Sequence, residues 1–174
     1  KTGAAAFNLV NEQKRLKLDN PFKNIQIAFE GEVAKERNPF TVEELKKLKT
    51  AIVSFMDTKA GKTNPDLRLI LGMVLDTGMR LSEATGLALS DLYLDAKIPY
   101  VSIKEDAKRN RRLKTKHSIR KVPLVGMSLW AAQEAVKRAA KDQTMAFPRY
   151  CTEEGVKGDN ASNAGNNWIK SRLK

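Results

Sequence analysis

Between Asn64 and Gly78 the chain reads N-P-D-L-R-L-I-L-G-M-V-L-D-T-G, and no other stretch restricts the fold as much. Asn64-Pro65 offers an N-cap followed by proline at the first helical position, where a fixed φ and a missing N–H cost nothing. Leu67 to Leu75 is apolar nearly all round, and Thr77-Gly78 stops it. A helix with almost no polar face has to be covered on every side, so this one is expected in the core with other elements wrapped around it.

The neighbouring segments supply the wrapping. Thr41-Val42-Glu43-Glu44 has the form of a capping box, and Leu45, Leu48, Ile52 and Phe55 follow at helical spacing, which predicts a helix starting at Val42. A short helical turn over Leu81–Leu87 is expected after Gly78, with Ser82 as its cap and Arg80 at its mouth. Leu92–Leu94 and Tyr100–Ile103 read as strands joined through Asp95–Pro99, and Ser118–Leu124 reads as a third, with Pro123 fitting its end or an edge. Beyond Gly126, Leu129, Ala132, Val136 and Ala139 share one face of a helix that Ser128 is placed to cap. A loop is expected from Asp142 to Asn160, then a last amphipathic helix around Trp168, Ile169 and Leu173. The fold class is therefore α+β, mainly helical with a small three-stranded antiparallel sheet.

Upstream, the residues through Leu18 read as an amphipathic helix closed by Asn20-Pro21. Two Asn-Pro steps and alternating charges then mark a linker, which divides the chain into a helix at 1–20, a linker at 21–38 and a domain at 39–174. The chain starts at Lys1 rather than Met, and an excised or processed fragment is expected. No apolar run approaches the roughly 20 residues needed to span a bilayer, so no membrane association is expected. One cysteine, Cys151, excludes an intrachain disulfide; with one histidine, His117, it also excludes the common Cys/His zinc arrangements. A cytoplasmic location is the expectation.

The net charge of +12 directs attention to polyanions, because a cationic surface gains affinity by releasing counterions condensed on nucleic acid. From Lys104 to Lys121, nine basic residues against two acidic ones leave +7 across eighteen positions. Lys108, Arg109, Arg111, Arg112, Lys116 and Arg120 in this run are the candidate DNA contacts. Arg80 and Glu83, three residues apart, can point from one helical turn. That spacing alone fits a structural ion pair or a capping arginine as well as a guanidinium braced to hold two phosphate oxygens.

Longer motifs favour the phosphate. T-G-M-R-L-S-E-A-T-G-L-A-L-S-D-L, Thr77 to Leu92, resembles the first arginine box of the tyrosine recombinases, the phage integrase family. K-T-K-H-S-I-R-K-V-P-L, Lys114 to Leu124, resembles the family's second landmark, a lysine on a sheet hairpin ahead of a strand ending in Val-Pro-Leu; N-P-F-T-V-E-E-L, Asn38 to Leu45, resembles the usual entry to the catalytic domain. The resemblance implies the catalytic-core fold of DNA breaking-rejoining enzymes, preceded by the last helix of a core-binding domain at 1–20. It also implies site-specific recombination or integration through a 3′-phosphotyrosine, with no metal and no cofactor. Double-stranded DNA is the implied partner, a tetramer on DNA the implied assembly, and the nucleoid of a bacterial or phage system the implied setting. Arg80 resembles the arginine that grips the scissile phosphate, Glu83 the acid that braces it, and Lys114 the lysine that protonates the departing 5′-oxygen. Lys116 lies close enough to take its place.

The family pattern also implies a histidine-x-x-arginine box and a nucleophilic tyrosine after the helix containing Trp168, where this sequence stops at Lys174. His117-Ser118-Ile119-Arg120 spells that box, yet Lys121-Val122-Pro123-Leu124 follows directly, and on a strand residues three apart face opposite sides. Tyr93 and Tyr100 fall in expected strands and Tyr150 precedes a loop, so none is expected to be the nucleophile. The expectation is a fragment that binds DNA and is inactive alone. The alternatives are a non-catalytic DNA-binding regulator derived from an integrase and an RNA-binding basic protein.

Overall fold

The computed structural model describes residues 2–23, 38–105, 118–152 and 155–173. They divide into two compact units, Lys1–Pro39 and Phe40–Lys174. In the first, helix α1 spans Thr2–Gln13, five residues short of the expected end at Leu18. Arg15 and Lys17 adopt left-handed φ values of 49° and 53°, and Asn11 closes the turn by accepting from the Leu18 N–H and donating to its carbonyl. Phe7 and Phe22 meet edge to face within the same unit.

In the second unit, α2 (Val42–Met56) begins with the expected box: Thr41 Oγ1 accepts from Glu44 N, and Glu44 Oε2 accepts from Thr41 N at 2.8 Å. Leu48, Ile52 and Met56, four residues apart, form its buried stripe. After one turn of helix, α3 (Lys59–Thr63), comes the apolar helix α4 (Asp66–Thr77), whose N-cap is Pro65 rather than the expected Asn64, which instead ends α3; α4 stops at Gly78 in the left-handed conformation, φ 62°. The expected cover on every side is incomplete: Leu69, Ile70 and Met73 are fully buried, whereas Leu71, Val74 and Leu75 are half-buried along an apolar groove. Burying each of the first three is worth about 1.5–3 kcal/mol. Arg68, the polar interruption in α4, lies over the rings of Phe55 and Trp168, a cation–π contact that offsets part of the desolvation its burial imposes.

A five-residue helix α5 (Leu81–Thr85) and one 3₁₀ turn (Leu89–Asp91) lead into the sheet. Strands β1 (Leu92–Tyr93), β2 (Tyr100–Ile103) and β3 (Arg120–Pro123) pair antiparallel in that order, with Leu92 opposite Val101 and Val101 opposite Val122. Val101 and Ile103 are buried on the inner face. The outer face carries Tyr93 stacked on Tyr100 at 4.6 Å, with the Lys121 ammonium over the Tyr100 ring. Pro123 ends the edge strand, where no ladder donor is lost.

Helix α6 (Gly126–Arg138) packs its small residues Ala131, Ala132 and Ala135 against α4 so closely that a methyl on Gly72 would sit 3.0 Å from the Ala131 Cβ. The expected loop at Asp142–Asn160 is more ordered than its sequence implies. It contains a two-stranded hairpin, β4 (Cys151–Thr152) and β5 (Gly155–Val156), and α7 (Gly158–Arg172) starts two residues before the loop was expected to end. Two serines expected as caps are not: Arg80 is the N-cap of α5, and Ser128 sits inside α6, where its Oγ reaches back to the N–H and carbonyl of the true cap, Val125. Among the described residues no helix is long and apolar enough to cross a membrane.

Candidate phosphate-gripping site

The site is built where the end of α4, the start of α5 and the start of β3 converge. Gly78 supplies the left-handed turn after α4 and Met79 is buried, so the backbone is fixed on both sides of the point where Arg80 leaves it. Glu83, one helical turn on, accepts the Arg80 backbone N–H on Oε2 at 2.9 Å and Nη1 of its guanidinium on Oε1 at 2.8 Å. Glu83 is buried, whereas the Arg80 side chain is 54% exposed. The pair is therefore an anchored carboxylate carrying an open cation, rather than a buried ion pair.

A second guanidinium, that of Arg120, expected from sequence among the DNA contacts, reaches the same carboxylate. Arg120 donates through Nη2 to Glu83 Oε2 at 2.8 Å and through Nη1 to Oε1 at 3.3 Å, and Nη1 also donates to the Ser118 carbonyl at 2.9 Å. Ser118 Oγ lies 3.3 Å from Arg80 Nη1. The strand period explains the geometry: Arg120 pairs with Ile103 across the ladder and shares the inner face with Val122, so its side chain turns toward α5. That alternation was present in the sequence as Arg120-x-Val122. The run of basic residues around it concealed the signal.

Burial pushes the Glu83 carboxyl up, but hydrogen bonds from Arg120 and from the Arg80 backbone and side chain outweigh it and hold the group below the ordinary glutamate value. Two guanidiniums on one ionised carboxylate leave one net positive charge. Nη1 of Arg80 is committed to Glu83 and Ser118; among the described residues no hydrogen bond engages its Nε or Nη2. A guanidinium held by one corner presents the remaining N–H groups as a fork that matches two oxygens of a phosphate.

Lys114 and its competitor Lys116 lie outside the described residues, as do Lys108, Arg109, Arg111, Arg112 and His117. Of the tyrosines, Tyr150 is buried, and Tyr93 and Tyr100 stack on the outer face of the sheet, opposite the face from which Arg120 reaches Glu83.

A model of the family described as phage integrase matches residues 40–159, well over half of the chain and nearly the whole of the second unit. No curated protein and no solved structure matches the chain.

Proposed function

The chain belongs to the phage integrase family, whose work is DNA recombination and integration, and from that premise we propose that Arg80 grips the scissile phosphodiester of duplex DNA with Glu83 as its brace. The observation that carries this reading is the exposed Arg80 fork held from behind by a buried, ionised carboxylate. The proposed fold is the catalytic core of the DNA breaking-rejoining enzymes over 39–174, with residues 1–20 as the end of a preceding core-binding domain and 21–38 as the link between them.

In the proposed reaction a tyrosine oxygen attacks the phosphorus and the bond from phosphorus to the 5′-oxygen breaks. The departing oxygen takes a proton from Lys114, while the tyrosine proton passes to a base. A 3′-phosphotyrosine and a free 5′-hydroxyl result, and reversal on a partner strand reseals the DNA. Arg80 acts by neutralising charge on the five-coordinate phosphorus, a role that rests on pre-set geometry. Tyr93, Tyr100 and Tyr150 are not assigned as the nucleophile. Lys108, Arg109, Arg111, Arg112 and Lys116 hold the flanking DNA backbone.

Duplex binding over a range of salt tests the grip. A side chain that neutralises a phosphate contributes about 0.9 to the slope of log K against log salt, so Arg80→Ala should reduce that slope by about one and weaken binding about tenfold. Unchanged slope and affinity would remove Arg80 from the interface. If RNA competes as well as duplex DNA does, the alternative of an RNA-binding protein gains.

A further inference from the structure

We propose that Arg120 is a positioning residue for Arg80, acting through Glu83, and is not itself a DNA contact; the inference rests on the reading of Arg80 as the phosphate grip. A carboxylate that held Arg80 alone could rotate and offer either oxygen. Arg120 removes that freedom by spanning both oxygens, Nη2 on Oε2 at 2.8 Å and Nη1 on Oε1 at 3.3 Å. With both oxygens pinned, Oε2 stays on the Arg80 backbone N–H and Oε1 stays on its Nη1.

Arg120 is itself fixed, because Nη1 also donates to the Ser118 carbonyl and its Cα is locked in the ladder opposite Ile103. The chain of contacts therefore runs from strand β3 through Arg120 and Glu83 to Arg80, with Arg120 and Glu83 37 positions apart in sequence. Ser118 adds a second tie from the same segment, through its hydroxyl to Arg80 Nη1. A lysine at position 120 would keep the charge yet present a single point of donation, which cannot bridge two oxygens in this way. Arg120 has three of its five N–H groups engaged by Glu83 and the Ser118 carbonyl, whereas Arg80 has only its Nη1 engaged by side chains. The two arginines are thus unequal: one is spent on the brace and the other is presented.

The test is a double-mutant cycle in duplex affinity, using Arg120→Lys and Arg120→Gln in the unchanged chain and in Arg80→Ala, with melting temperatures recorded for each. If Arg120 works through Arg80, both substitutions weaken binding several-fold, by roughly three- to tenfold, in the unchanged chain. The loss then disappears once Arg80 is alanine. Arg120→Lys keeps the charge, so its failure to rescue binding at an unchanged melting temperature marks geometry rather than charge as the contribution.

An equal loss in both backgrounds would overturn the inference, since a direct DNA contact or a general weakening of the fold behaves that way. Full affinity in Arg120→Lys would overturn it too. If Arg80→Ala alone leaves binding unchanged, the grip reading itself falls and this inference falls with it, whatever Arg120 does.

Discussion

Glu83 concentrates two guanidiniums on one buried carboxylate, so protonating it releases both. Its pKa in the folded protein lies below the ordinary value of 4.5, so the stabilisation is complete above that value and is lost as the pH falls through the lower, folded one. Asp76 and Glu134 are depressed in the same sense. Acid melting of the unchanged chain alone therefore cannot isolate Glu83. The comparison with Glu83→Gln does: at neutral pH the variant should be less stable by about 1–3 kcal/mol, and the gap should close as the solution becomes acidic. Melting curves that differ by a constant amount at every pH would show that the ionised carboxylate is not the anchor. Arg80 and Glu83 were legible in the sequence because a spacing of three on a helical turn brings them together. Arg120 was not, because its partner lies on another element and its direction follows only once Val122 is known to face inward.

At the scale of elements, two glycines make opposite demands. Gly78, φ 62°, has nothing within 4 Å of the place a methyl would occupy, so Gly78→Ala pays only for the left-handed backbone, about 1–2 kcal/mol. Gly126, φ 50°, pays that and more: its added methyl would lie 2.9 Å from Asp76 Oδ2, the oxygen that accepts the Met127 N–H at the start of α6. Gly126→Ala should therefore lower the melting temperature more than Gly78→Ala does; equal effects would mean the Asp76 clamp on α6 yields freely. Ile70→Ala, in the face of α4 that is sealed completely, should cost about 2–5 kcal/mol in denaturant unfolding. These major helices and the three-stranded sheet were legible because each carries a period or a cap. The β4–β5 hairpin was not, since strands of two residues are too short to show alternation. The helix around Trp168 was legible, but the first ten residues of α7, G-D-N-A-S-N-A-G-N-N, are poor in helix formers, so its earlier start at Gly158 depends on packing of Ala161 and Gly165 that no local preference announces. The basic segment at 106–117, with Lys114, lies outside the described residues.

For the whole molecule, a charge of +12 favours association with any polyanion without saying where a phosphate would be held, since 32 lysines and arginines contribute to it. Among the described residues Arg80 combines a guanidinium that is 54% exposed with a buried carboxylate that holds one corner of it. The Nε–H resonance of Arg80, assigned by its loss in Arg80→Lys, reports directly on whether this guanidinium meets a phosphate. As duplex DNA is added, that resonance should shift with the bound fraction, and in Glu83→Gln the shift should be smaller at equal saturation. An Arg80 resonance that stays in place while the chain becomes saturated with DNA would contradict the assignment.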